Sequence, residues 1–442
     1  MSEINNEITG KYRERFAESD KKRALQNAVV KNGITESAET QEAQVENVQV
    51  FSVDLSTGKA ADQKKSGRCW MFAALNTFRH KMIDSFRLKE FELSQNYTFF
   101  WDKYEKSNYF YENIIATADQ NLDSRKVAFL LATPQQDGGQ WDMIVSLFKK
   151  YGVVPKYVMP ESRNSSNSQD LNKYLNKKLR KDAVTLRKLI EAGEAPELVQ
   201  EKKTEMLGEL YNFLAISLGT PPETFDFEYR DEDKEYHIDK GLTPLSFYEK
   251  YIGVDLDDYI SVINAPTKDK PFNKTYTVEM LGNVVGGKPV KYLNVDMPVF
   301  KQLAVQQLEQ GESVWFGCDV GQSSTRKSGI MALNAYEIDE LFDIDFSMTK
   351  AERLDYGESL MTHAMVLTGV DVIDGKSAKW KVENSWGEKI GNKGFFVMSD
   401  AWMDEYTYQI VIRKDILTNE LLKAWNEEPK MLAPWDPMGA LA

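Results

Sequence analysis

Apolar positions recur every three or four places along much of the first 220 residues, whereas beyond about Val290 they alternate or run together. "SDKKRALQNAVVKNG" sets Leu25 and Val29 four apart, with Ser19 or Asp20 to cap the start and Gly33 to stop the end, and so predicts a helix in a polar N-terminal arm. "VENVQVFSVDLSTG" alternates Phe51, Val53 and Leu55 with Ser52 and Asp54, which predicts a strand. In "CWMFAALNTF" apolar residues at 72, 75 and 78 predict a helix beginning near Cys69. "LSQNYTFFWDKYEKSNYF" predicts an aromatic helix, and "DGGQWDMIVSLFKKYG" a Gly-Gly turn opening another that closes at Gly152. From about Asn164 to Glu209 the chain turns to Lys, Glu and Leu, with Leu171, Leu175 and Leu179 at helical spacing. "FDFEYRDEDKEYHID" predicts a hairpin around an acidic turn, and "GLTPLSFYEKYIG" a helix capped by Thr243 with Pro244 at its first position.

Past Val290 the segments "KYLNVD", "ESVWFGCDVG", "HAMVLTGVDV", "AKWKVENSWG" and "GFFVMSDAWM" read as strands. Helices first and strands afterwards make an α+β arrangement. The expected division is an N-terminal arm and first strand at 1–60, a helical domain at 61–160, a mostly helical insertion at 161–290, a β domain at 291–412 and a C-terminal arm at 413–442.

Composition narrows the classes. Two cysteines in 442 residues argue against a disulfide framework and for a reducing, cytoplasmic setting. The first thirty residues hold no apolar signal segment, and the apolar runs are too short to span a bilayer. A net charge of -13 disfavours a nucleic-acid surface formed by the whole chain. Lys173 to Lys188 holds seven basic residues against Asp182, and reads as a solvated helix face.

The chemistry starts at "QKKSGRCWMFAALNTF", where Cys69 sits in the first turn of its helix. A cysteine nucleophile acts as a thiolate, which a helix N-terminus and a neighbouring imidazolium stabilise; such paired thiolates have pKa values of about 3.5 to 7.5. Of three histidines, His80 lies eleven residues along the same helix, roughly 16 Å away and out of reach. His237 falls in the acidic hairpin and reads as a surface residue. His363 opens the strand "HAMVLTGV", and Asn384 in "ENSWG" is placed to accept its ring N–H, with Trp386 shielding that bond. Gln63, six residues before Cys69, offers an amide N–H to a developing oxyanion beside the Cys69 backbone N–H. Cys318 in "VWFGCDVG" reads as core.

Gln63, Cys69-Trp70, His363-Ala364 and "NSWG", in that order, resemble the papain-like cysteine peptidases, and "QKKSGRCW", "THAMVLTGV" and "VENSWG" carry the resemblance. "LSQN" and "DGG" at 137–139 add to it. Ser66 stands where papain itself has a disulfide cysteine, and His363 lies far beyond the usual spacing of about 130–150 residues, which leaves room for an insertion of roughly 150. These departures, and the ending "APWDPMGALA", resemble the bleomycin hydrolase group.

The resemblance implies a helical left domain and a β-barrel-like right domain, with the insertion and terminal arms added. It implies a cysteine aminopeptidase acting on peptides with a free amino terminus, and leaves open hydrolysis of bleomycin-like amides. Gly138 and Gly139 would lend backbone to substrate, and the carboxylate of Ala442 would meet its α-ammonium. A homohexamer enclosing its active sites is implied, with no metal, cofactor or membrane. Two alternatives stand beside it: a nucleic-acid-binding homo-oligomer of the same family, which the net charge disfavours, and an inactive scaffold, which would lack one of the four residues.

Overall fold

The residues that alternate along "HAMVLTGV" face two different cores. In the computed structural model, which describes residues 3–441, Ala364 and Val366 pack against the helical side while Met365 and Leu367 point into a second core. A strand covered on both faces needs apolar residues at every position, hence the unbroken run.

That strand, His363–Ile373, lies in a 12-stranded sheet. Neighbours along the sheet are Lys430–Leu432, Lys274–Val278, Tyr292–Asn294, Tyr259–Ile263, Thr407–Arg413, Val314–Cys318, His363–Ile373, Lys376–Glu383, Phe395–Ser399, Ile330–Met331 and Ser324–Thr325. Val53–Asp54, the shortened form of the first expected strand, pairs with Val370 and Gly369. The sheet has two free ends and does not close, so the barrel-like right domain expected from the family resemblance is corrected to an open sheet. Its terminal strands have only three and two residues and do not pair with each other. Two of its strands, Tyr259–Ile263 and Lys274–Val278, fall inside the segment expected to be mostly helical.

The helices follow the apolar spacing. Cys69–Phe86 packs between the helix Gln95–Ala116 and the sheet, touching His363–Ile373 and Val314–Cys318. Ser94 caps Gln95–Ala116 by accepting from the Tyr97 N–H. Trp141–Tyr151 ends at Gly152, where a positive φ and the nearby Pro244 carbonyl exclude a side chain. The segment expected to be an insertion contributes the paired helices Gln169–Glu191 and Pro196–Leu218, and the first of them, with Leu171, Leu175 and Leu179 buried, rests on Gln95–Ala116. The hairpin Phe225–Arg230 with Tyr236–Leu242 and the Thr243 cap form where the turn and capping residues predict them. Among the described residues no helix is long and apolar enough to cross a membrane.

Candidate active site

Helix and sheet meet at Cys69. The thiol is buried at the first position of its helix, against the backbone N–H groups of Ala364, Trp70 and Cys69 itself. Burial pushes the thiol up to about 11, and those N–H groups oppose the rise without overcoming it. This departs from the low value expected of a thiolate at a helix N-terminus. Loss of hydration outweighs the dipole when the sulfur is enclosed.

The loop before Cys69 is tied down by buried charges. Arg68 donates to both carboxylate oxygens of Glu161, at 3.1 and 2.8 Å, and to the Ser66 hydroxyl at 2.9 Å. The Gly67 N–H donates to Asp137 at 3.0 Å, and Lys103 pairs with the same carboxylate at 2.8 Å. Burial works to raise the Asp137 carboxyl, but Lys103 and the surrounding donors hold it well below the usual range. Asp137 thereby fixes the loop before Cys69 to the Gly138-Gly139 segment.

His363 is the first residue of its strand, with Nε2 3.0 Å from Asn384 Oδ1. Burial lowers the imidazole to about 4; the Asn384 bond opposes this and the nearby Arg326 charge adds to it. Asn384 follows the last residue of Lys376–Glu383, and its Oδ1 also accepts the Ser385 N–H at 2.7 Å. Trp386 lies over the imidazole, ring centroids 4.9 Å apart and 31° between planes. Gln63 donates Nε2 to the Ser66 carbonyl at 2.8 Å and accepts the Ser385 hydroxyl at 2.5 Å. One amide hydrogen is thus used, and the other remains for a ligand. Gln63, Cys69, His363, Asn384 and Trp386 therefore converge where helix and sheet meet.

The glycines behave differently. The Gly138 carbonyl accepts Lys106 Nζ at 2.7 Å, and a Cβ on Gly139 would lie 2.5 Å from the Trp70 ring. Ala442 lies outside the described residues. The chain leading to it is docked: Tyr292 donates to the Met438 carbonyl at 3.1 Å, Gln140 Nε2 to the Ala440 carbonyl at 2.6 Å, and Leu441 packs on the core.

The other candidates sit apart. Cys318 is buried in the strand beside His363, and burial pushes its thiol well above the ordinary value. His80 Nε2 lies 2.7 Å from Glu383, and His237 Nε2 lies 3.0 Å from Asp231. Asp231, Glu235 and His237 gather possible ligand atoms on the hairpin, away from Cys69. Sequence reasoning missed Glu383, Ser385 and Asp137, although all three stand inside quoted stretches, the first two in "VENSWG" and Asp137 in "DGG".

Comparison with known proteins agrees with this geometry. The profile described as "Peptidase C1-like family" matches residues 3–439. The chain is 62% identical over 443 residues to aminopeptidase C of Streptococcus thermophilus, covering 100% of both. It is 54% identical over 442 residues to aminopeptidase C of Listeria monocytogenes serovar 1/2a, again covering 100% of both. The crystal structure of PepW from Lactobacillus rhamnosis HN001 superposes with a TM-score of 0.98 at 61% identity, covering 100% of both chains.

Proposed function

Because this chain belongs to the Peptidase C1-like family and is a cysteine aminopeptidase, we propose that Cys69, His363, Asn384 and Gln63 carry its chemistry. The observation that carries the assignment is the His363–Asn384 bond beneath Trp386. With Nε2 donating to Asn384, Nδ1 is the ring nitrogen left to take a proton.

His363 accepts the Cys69 proton, so the pair becomes thiolate and imidazolium with no change in net charge. The thiolate sulfur attacks the scissile carbonyl carbon. The Cys69 N–H and the second Gln63 amide hydrogen stabilise the oxyanion. The tetrahedral intermediate expels the amine, which takes the proton from His363, and leaves a thioester on Cys69. Water, deprotonated by His363, then attacks the thioester and releases the N-terminal residue as a free acid. Asn384 keeps the imidazole in one tautomer through both halves, and Trp386 keeps water from that bond.

An open cleft of this kind has to be blocked to act on chain ends alone. The docked tail supports a role for residues 439–442 as the block, with the Ala442 carboxylate meeting the substrate α-ammonium. Gly138 and Gly139 would bind substrate backbone on the same side. The helix Asn6–Ala17 has no buried residue and leaves Ile8, Tyr12 and Phe16 exposed at four-residue spacing, which supports assembly with further copies, a homohexamer by resemblance. A cytoplasmic location fits the two unpaired cysteines. The relatives are peptidases by name, and the nucleic-acid alternative has no support among them.

Hydrolysis of leucyl arylamide and of its N-acetylated form tests the reading. Cleavage of the free amine alone is expected; equal cleavage of both, or of neither, would overturn it.

A further inference from the structure

Arg326 stands on the loop between the short strands Ser324–Thr325 and Ile330–Met331, exposed, with its guanidinium 4.5 Å from the centre of the Trp386 ring. Trp386 in turn covers His363 at 4.9 Å, so the guanidinium lies no further from the imidazole than these two distances laid end to end. Among the described residues Arg326 has no ion pair and no side-chain hydrogen bond, unlike Arg68, Arg79, Arg87, Arg353 and Arg413. Asp62, whose backbone bridges to Trp386, is itself paired with Lys64. The Arg326 guanidinium is therefore held against Trp386 by stacking, with no acid paired to it among the described residues, and is close enough to act on His363.

The direction of the reaction says what that charge faces. His363 gives its proton to the leaving amine, so the leaving peptide runs over His363 and Trp386. The acyl side runs the other way, toward Gly138, Gly139 and the tail, whose Ala440 is bonded to Gln140. Arg326 thus borders the path of the leaving group. An extended chain covers about 3.3–3.6 Å per residue, so one to three residues past the scissile bond bring a carboxylate to it.

We infer that Arg326, stacked on Trp386, is a specificity residue for the leaving side of the cleft and binds a carboxylate, foremost the main-chain carboxylate of a di-, tri- or tetrapeptide. A guanidinium matches a carboxylate with two parallel N–H···O bonds, and the ring beneath it pre-orders the fork. The enzyme is then tuned to finish short peptides and not to trim long chains. This rests on the proposed roles of His363 and Trp386.

The test compares leucyl-alanine with leucyl-alaninamide, and leucyl-glutamic acid amide with leucyl-glutamine amide, in the full chain and in Arg326→Gln and Arg326→Lys. The expected kcat/KM ratio of free acid to amide is about three- to tenfold, since the pair is charge-assisted but exposed. It falls toward one in Arg326→Gln, is partly kept in Arg326→Lys, and shrinks with added salt. A preference confined to the glutamate pair would assign the site to acidic side chains and overturn the main-chain assignment. An equal loss on every substrate in Arg326→Gln, with the ratio kept, would make Arg326 a cover for Trp386 and overturn the proposal. Failure of the full chain to cleave any of the four would overturn the active-site roles and the subsite together.

Discussion

The Glu383 carboxylate stands 2.7 Å from His80 Nε2, and the next residue along the chain is Asn384. His80 belongs to the helix that begins at Cys69, so this contact joins that helix to the strand that leads into Asn384. Asn76 donates to the same carboxylate at 3.1 Å, and Arg79 pairs with it and also donates to the Lys59 carbonyl at 2.8 Å. Burial lowers His80 and so favours the neutral ring, which, protonated at Nε2, takes a hydrogen bond at Nδ1 from the Ser313 hydroxyl 3.1 Å away. Burial works to raise Glu383, but Arg79 and His80 outweigh it and keep the carboxylate ionised.

Glu383→Gln removes the counter-charge of a buried Arg79. Leaving one member of a buried pair uncompensated costs about 3–5 kcal/mol. The expected result is a clear drop in thermal midpoint, with a smaller drop in the double variant Glu383→Gln, Arg79→Met than the two single drops together. Simple additivity would show that the two side chains do not act as a pair.

Cys69→Ala is expected to abolish hydrolysis with the thermal midpoint nearly unchanged, because it removes only one sulfur atom, at the first position of its helix. Iodoacetamide should modify Cys69 far faster than Cys318, which lies within the second core with no accessible surface. Mass spectrometry of the labelled peptides decides it. Equal rates, or activity surviving in the alanine variant, would remove Cys69 from its role.

The pH profile follows from the same burial. Each partner alone is held neutral, with the imidazole lowered to about 4 and the thiol raised to about 11. Protonating the pair leaves His363 unable to accept the thiol proton, and deprotonating it removes the proton the leaving amine needs. The expected kcat/KM is a bell whose acid limb lies below 6.5 and whose alkaline limb lies above 9, both limbs belonging to the pair. Asn384→Ala should lower kcat less than His363→Ala does, since the ring can still reach its place part of the time. A full-strength Asn384→Ala enzyme would show the orienting role to be misplaced.

Much of this site was legible because its residues are scarce or locally flagged. Three histidines and two cysteines leave few pairings, and Trp70, Ala364 and the "NSWG" run mark the places. Partners fixed across the fold were not. Asn76, Arg79 and His80 lie at i, i+3 and i+4 on one helix face, a polar stripe that pointed inward to Glu383 with nothing nearby in sequence to say so. Sheet closure was out of reach for a similar reason. It depends on whether the three residues of Lys430–Leu432 meet a distant edge, and they pair with Tyr276, Thr277 and Val278 instead. The low thiol value was misjudged because helix polarity can be read from sequence while enclosure cannot.

Deleting residues 439–442 is expected to reduce kcat/KM on free-amine substrates and to admit N-acylated ones, with the iodoacetamide rate at Cys69 unchanged. The deletion removes the Ala440 carbonyl from Gln140 and withdraws Leu441 from its apolar contacts. Met438, whose carbonyl accepts from Tyr292, stays. A truncated enzyme that still requires a free amino terminus as strictly as the full chain would exclude the tail as the specificity device.

Lys350 gives a stability test independent of catalysis. Its ammonium is buried, donating to the Asp404 and Thr407 carbonyls at 2.9 and 2.6 Å, and burial lowers it to about 7, with Glu405 and Asp404 opposing and Arg353 assisting. In the unfolded chain the same lysine holds its proton to about 10.4. Between these values the unfolded state binds more protons, so the stability present above the unfolded value is lost progressively as pH falls toward 7, and below 7 the full penalty remains. Lys350→Met removes this dependence. The midpoint of the variant relative to the parent should therefore rise steadily as pH falls from 10 to 7 and level off below, whatever fixed cost comes from the two carbonyls losing their donor. A midpoint difference that stays constant across this range would mean that Lys350 keeps its charge in the folded protein, held by Asp404 and Glu405 strongly enough to cancel the loss of water.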